Sequence, residues 1–252
     1  MNTVSKKANI GNNVTIGDYT VINDDVVIGN NVTIGSNVLI DNGARIADNV
    51  RVHHGGVVSS IPQDLKFVGE ESILEVGDGT VIREYATLNR GTKATGKTTV
   101  GKNCLIMAYA HVAHDCILGN NVIMSNSANL AGHVFIDDWA IVGGVSGIHQ
   151  FTRVGKHAII AFNSRVVKDV PPYIMAGNTP LKYTGLNLTG LKRRNFPAET
   201  INLISEVYHV LYKTGLNVSD AVEKIKEVYD ITDEVKEIIS FIESSERGII
   251  LD

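Results

Sequence analysis

Cysteine is scarce: only Cys104 and Cys116 occur in 252 residues, too few for a disulfide scaffold and without the CxxC pairs of a structural zinc site. No stretch approaches the roughly 18 apolar residues a membrane span requires, and Met1 to Lys7 holds no apolar segment of the kind a secretion signal carries. The expectation is a cytoplasmic protein with no stable membrane insertion. Positive charge is also short, with 23 Lys and Arg against 27 Asp and Glu, a formal charge of −4 and a pI near 6.1. That balance gives no general attraction to nucleic acid or anionic lipid, so nucleic acid is not expected as a partner and any basic site is local. There are five prolines (Pro62, Pro171, Pro172, Pro180, Pro197), and all lie outside the regular pattern described next. The 44% hydrophobic content is nonetheless ordinary, enough for one large domain with a smaller appendage.

What is present is a period of six. Aliphatic residues recur at Ile10, Ile16, Ile22, Ile28, Ile34, Ile40, Ile46, Val52 and Val58, and resume at Val76, Ile82 and Leu88. They then run unbroken from Val100 through Ile106, Val112, Leu118, Met124, Leu130, Ile136, Val142, Ile148, Val154 and Ile160 to Val166. Twelve consecutive apolar positions in one phase would arise by chance about once in twenty thousand at this composition. Two positions before each of these twelve sits a small or short residue, such as Cys104, Ala110, Cys116, Ala128 or Ser146, which marks a second, narrow inward position. Six is neither the 3.6 of a helix nor plain alternation; it fits a short strand followed by a bend, with Gly29, Gly101, Gly119, Gly155 and the pair Asn30-Asn31 expected to supply the turns. This is the hexapeptide signature of the left-handed parallel β-helix, and resemblance to that fold implies three repeats per triangular turn of 18 residues. The fold class expected is therefore mainly β, a β-helix domain over residues 1–186, with a C-terminal α-helical domain over 187–252. In the tail, Pro197 fits a helix start, an amphipathic stretch runs to Gly215, and Ser219 and Thr232 fit as N-caps of two further helices.

Candidate chemistry lies on the outside of this prism. Seven of the eight histidines (His53, His54, His111, His114, His133, His149, His157) avoid both inward phases, so they are expected to point outward. Steps of 18 stack His114, Gly132 and Gln150 in one column, with Asp115 beneath His133 in the next and His149 beside Gln150. Coils about 4.8 Å apart bring these side chains within reach of one ligand. A neutral imidazole beside a carboxylate suits general-base work on a hydroxyl attacking a thioester, and Gly132 would let a backbone N–H approach the developing oxyanion.

The segments His111-Val-Ala-His114-Asp115-Cys116, Asn129-Leu-Ala-Gly-His133, Ile148-His149-Gln150-Phe151, Asp169-Val-Pro-Pro-Tyr173 and Gly190-Leu-Lys-Arg-Arg194 closely resemble the UDP-N-acetylglucosamine O-acyltransferases that begin lipid A synthesis. The resemblance covers nearly the whole chain. It implies transfer of an (R)-3-hydroxyacyl chain from acyl carrier protein to the 3-position of UDP-N-acetylglucosamine by a homotrimer, with no cofactor and no metal. It further implies His114 as general base supported by Asp115, the Gly132 N–H at the thioester oxygen, and His111, His133, His149 and Gln150 around the sugar and acyl groups. Asp64 and Lys66 would contact the sugar nucleotide from the loop that interrupts the repeats, Asn187 and Arg194 its nucleotide end. Thr189 stands where many members have Glu. Phe162 stands where members that accept long chains have Gly, which implies a shorter acyl chain here. Arg153, Arg165 and Lys168 are expected to form a docking patch for the acidic carrier. Other readings are the N-acyltransferase of the same pathway, which usually has an extra domain before its repeats, a 3-amino sugar acceptor, an acetyl-CoA-dependent sugar acetyltransferase, a γ-carbonic-anhydrase-like hydratase and a non-catalytic scaffold.

Overall fold

A computed structural model describes residues 2–252. The six-residue period folds as a three-sided prism, a left-handed parallel β-helix built from strands mostly two residues long. The three faces are parallel sheets of nine, eight and ten strands, called here the first, second and third. The third ends in an antiparallel pairing, Ile174–Gly177 against Lys182–Leu186, the only one among the described residues. Register follows the 18-residue step through the second long run: His111 pairs with Asn129, Ile117 with Phe135 and Ile123 with Ile141. Each strand donates its N–H groups to the coil above, as in His111 N to Ala128 O at 2.9 Å and Asn129 N to Ser146 O at 2.8 Å. That commitment explains why proline is confined to the interruption at 61–72, the stretch beyond the last regular repeat and the tail.

Both inward positions are buried along the long run, from Thr98 and Val100 to Ser164 and Val166. Cys104 and Cys116 occupy the narrow one; burial pushes their thiols up to about 11 and about 12, so they pack and do not react. The corners turn through a left-handed residue, and Asn takes that place at Asn13, Asn31, Asn37, Asn49, Asn103, Asn121 and Asn163, where a short polar side chain tolerates the conformation. The glycines expected at the turns do a different job. Gly29, Gly101, Gly119 and Gly155 do not have positive φ; a Cβ at Gly101 would lie 2.3 Å from Gly119 O, and one at Gly155 would lie 2.5 Å from Pro172 N. They are small because the next coil passes directly over them.

The tail comprises α1 (Leu188–Arg193), α2 (Ala198–Lys213), α3 (Val218–Val228) and α4 (Asp233–Glu243). Pro197 precedes α2 and Thr232 caps α4 as expected, and Gly215 takes positive φ just beyond α2. The cap of α3 is not Ser219 but Asn217, whose side chain accepts from Asp220 N; Ser219 already lies inside the first turn. A single buried cluster runs from the prism axis into these helices. Tyr208 is fully buried and donates to Pro172 O at 2.6 Å, and Tyr173 bonds Glu237. The chain end returns to the prism, where Asp169 bridges Ile249.

Candidate active site

Two polar insertions and one histidine cluster share the edge between the first and second sheets. The first insertion links the strands Val57–Ser60 and Ile73–Val76, the second Thr87–Asn89 and Lys97–Val100. His114 and Asp115 occupy the same edge one coil on, followed by Gly132 and His133, then Gln150 and Phe151. The left-handed corner residues here are Asp115 (φ 60°), His133 (φ 61°) and Phe151 (φ 61°). Asp and His are among the non-glycine types that enter this region most readily, so the bend itself aims both side chains at the edge.

His114 Nδ1 lies 2.7 Å from Asp115 Oδ2. Asp115 is 3% exposed, yet its carboxyl is held down at about 2: burial pushes it up, and donors from Thr95, His114 and Thr92 outweigh that push. An ionised carboxylate only accepts, so His114 Nδ1 carries the proton and Nε2 of the neutral ring is left with a lone pair for a base. The imidazole lies directly over Gly132, where a Cβ would meet Nε2 at 2.7 Å and Cε1 at 2.4 Å. Glycine is therefore required for the ring to occupy this place, and no hydrogen bond from the Gly132 N–H is found among the described residues. His133 stands edge-on to His114 with centroids 5.3 Å apart and stacks on Phe151 at 4.6 Å. Nδ1 of His111 bonds the Thr87 hydroxyl at 2.8 Å, and burial lowers its pKa. His149 and Gln150 are exposed one coil further. Asp64, Lys66, Thr92, Lys93 and His133 line a cavity of about 160 Å³, so the structure brings the expected sugar-nucleotide loop to one of the histidines.

Three expected site residues do not join this cluster within one chain. Phe162, 70% exposed, lies on the edge between the third and first sheets, its ring 3.5 Å from where a Gly144 Cβ would be. Asn187 and Arg194 lie at the edge between the second and third. There Asn187 is the N-cap of α1, with Oδ1 accepting from Gly190 N and Nδ2 donating to His157 O, so its amide is committed on both sides. Arg194 stacks its guanidinium 4.7 Å from the Trp139 ring centroid and leaves buried Nε and Nη1 without partners among the described residues. His114, Asp115 and His133 offer ligand atoms within 4.8 Å of one another, a spacing a metal ion would accept. Both Asp115 oxygens, however, already accept hydrogen bonds from threonines.

Sequence patterning missed Thr92, Thr95 and Glu70, which belong to no hexapeptide; the signal available was the polar run Gly91-Thr-Lys-Ala-Thr-Gly96 placed at this edge. It also misplaced His157. That ring follows the outward phase but is only 4% exposed, because the tail covers it: it lies between Trp139 and Tyr173 with Phe196 on its edge. Burial, then the charges of Arg194 and Lys156, push its pKa down to about 4. The fold favours neutral His157, so its contribution is complete above the unfolded value near 6.5 and is lost as pH falls from there to about 4. The folded protein is expected to lose up to roughly 3 kcal/mol from this group across that window. Denaturation midpoints at pH 7 and 4.5 should differ less in His157→Gln than in the native protein, and an identical difference would refute this.

An ionised carboxylate fixes one tautomer of an imidazole on the outer edge of a hexapeptide prism, an arrangement able to draw a proton from a hydroxyl. The bacterial transferase hexapeptide pattern matches residues 7–42 and 97–132, and a family described as UDP-N-acetylglucosamine O-acyltransferase, domain 2, matches 169–250. The acyl-[acyl-carrier-protein]–UDP-N-acetylglucosamine O-acyltransferase of Burkholderia mallei is 42% identical over 205 residues, 79% of this chain and 78% of that protein. A UDP-N-acetylglucosamine acyltransferase structure from Bacteroides fragilis superposes with a TM-score of 0.96 at 45% identity, over 99% of this chain and 98% of that one. The Arabidopsis enzyme gives 0.87 at 30% identity, over 99% and 98%. The chain belongs to the UDP-N-acetylglucosamine O-acyltransferase family.

Proposed function

We infer that this protein transfers an acyl chain from acyl carrier protein to UDP-N-acetylglucosamine in lipid A biosynthesis. The observation that carries the reading is the match to acyltransferases along nearly the full chain, with the His114–Asp115 pair on the prism edge supplying a base. In the mechanism we propose, His114 Nε2 takes the proton of the sugar 3-hydroxyl as its oxygen attacks the thioester carbon. The Gly132 N–H stabilises the oxyanion, the carrier's thiolate leaves, and His114 returns the proton to it. His111, His133, His149 and Gln150 surround the reacting groups, Asp64 and Lys66 hold the sugar nucleotide, and Arg194 supplies positive charge for its anionic end. Asn187, already capping α1, serves by placing that helix. The donor is an (R)-3-hydroxyacyl thioester; no cofactor or metal enters, and the reaction runs in the cytoplasm. Incubation with UDP-N-acetylglucosamine and a panel of hydroxyacyl carriers, followed by mass spectrometry, should give one acylated sugar nucleotide per carrier freed. No product, or zinc at one equivalent per chain, would overturn the reading.

The site is completed by neighbouring copies in a homotrimer. Tyr85, Tyr109, Ile117, Val145, Phe151 and Phe162 leave more apolar edge exposed than one prism should keep wet, and Leu65 in the substrate loop is fully exposed. Sedimentation at micromolar concentration should show three chains per particle, and a stable monomer would sink the assignment. The carrier docks on a groove of about 600 Å³ lined by Arg165, Lys168, Lys182, Val167 and Leu251. Arg153 does not belong to that patch: it stacks on Phe241 at 4.4 Å and donates to Ser244, holding α4 in place. Reversing the charges of Arg165, Lys168 and Lys182 together should raise the KM for the carrier at least about tenfold while sparing that for the sugar nucleotide; an unchanged carrier KM would count against the groove.

A further inference from the structure

Asp115 stands between two imidazoles. Its Oδ2 lies 2.7 Å from His114 Nδ1 and 3.6 Å from His133 Nε2. A carboxylate turns in a broad, roughly two-fold torsional well, so nothing in its own bonding decides which ring it serves. The decision is made by the insertion at 90–96. Thr95 Oγ1 lies 2.5 Å from Oδ1, Thr92 N donates to the same oxygen at 3.0 Å, and Thr92 Oγ1 donates to Oδ2 at 2.7 Å. The single Thr95 hydroxyl proton has a second acceptor in reach, Lys97 O at 2.8 Å, but the shorter contact to a charged oxygen takes it. Thr98 Oγ1 accepts from Asp115 N at 2.8 Å and pins the backbone of the same residue. The charged and titratable neighbours of the carboxylate are thus His114 and His133, with His111 beyond His114.

The insertion is itself tied to the substrate loop. Glu70 accepts from Lys93 N at 3.0 Å with one oxygen and from Val68 N at 3.0 Å with the other. A continuous set of hydrogen bonds therefore runs from the loop bearing Asp64 and Lys66, through Glu70 and the threonine turn, to Asp115 and His114. Thr92 also lines the cavity beside Asp64 and Lys66, whereas Thr95 is not among its lining residues.

We propose that Thr95, with Thr92, is a positioning residue of this enzyme, fixing the plane of the Asp115 carboxylate so that it serves His114 and not His133. The inference rests on the dyad reading above. Thr95→Val keeps the shape and removes the hydroxyl; kcat should fall roughly ten- to hundredfold, the scale of a misplaced catalytic group, while the KM for UDP-N-acetylglucosamine stays within about twofold. Thr95→Ser, which restores the hydroxyl, should recover most of the loss. In an Asp115→Ala background, Thr95→Val should cost nothing further, because the group it positions is gone. If Thr95→Val does not assemble, Thr95→Ala is taken through the same cycle. An equal loss in both backgrounds, a rise in KM with kcat intact, or failure of serine to rescue would reduce Thr95 to a loop residue and overturn the proposal alone. An Asp115→Ala enzyme with undiminished kcat would overturn the dyad and this proposal with it.

Discussion

Replacing His114 by Ala should lower turnover by about a hundred- to ten-thousandfold, the usual worth of a positioned general base, while the protein's assembly and its thermal midpoint stay close to native. The two halves of that expectation have separate causes. The loss follows because Nε2 of His114 carries the lone pair that Asp115 exposes by holding the proton on Nδ1. The folding half follows because the ring packs on the outer edge over Gly132, whereas the axis of the prism is filled by residues of the aliphatic phase such as Val112, Leu130 and Ile148. Only one wall of a surface cluster is removed, so no axial cavity opens. Near-normal kcat in an assembled His114→Ala protein would refute the assignment. Loss of assembly would instead show that the ring is structural.

A change of Phe162 to Gly should move the preferred donor to longer acyl chains. The ring is 70% exposed and lies at an edge its own dyad does not share. It would meet the acyl chain only across a subunit boundary, which joins this prediction to the trimer proposed above. A benzyl group in such a groove is expected to stop the chain where glycine would leave it open. Each methylene denied burial forfeits about 0.8 kcal/mol, and forcing one into filled space adds roughly 1–3 kcal/mol, so discrimination of about tenfold or more per step is expected near the limit. The measurement is kcat/KM over a ladder of hydroxyacyl carriers for the native protein and Phe162→Gly. An unchanged optimum in an intact trimer would show that the chain runs elsewhere.

The prism was legible because its rule is local and repeats: a side chain at every sixth position must point to the axis, and the sequence states that requirement coil after coil. The stacking of His114 on Gly132 followed from the same arithmetic. What it could not show were contacts made by residues outside the repeat. Thr92 and Thr95 sit in an insertion whose path no period dictates, and their grip on Asp115 emerges only when that loop is folded back. His157 failed for the converse reason. Its phase is outward, but phase says which way a side chain leaves the prism and not whether the helical tail covers it. The usual habit of glycine points to turns, whereas here the close passage of the neighbouring coil excludes any side chain.

Because three strands close one turn, position along this chain works as an angular coordinate as well as a linear one. Removing a single hexapeptide, for instance 117–122, would leave the aliphatic phase intact and the axis still filled. Everything downstream would nevertheless be turned by one face, and His133 would arrive where Ser127 now stands, on the edge between the third and first sheets. The site would come apart in a protein whose core had lost nothing but length. The loops at 61–72 and 90–96 are exempt from that arithmetic, since they leave one sheet and re-enter the next at the same edge whatever their length. Between the loop at 61–72 and Gln150, length can therefore vary by less than a whole coil without turning the site only in the two segments that line the proposed substrate cavity, so the places where this architecture permits change there are also the places expected to set specificity.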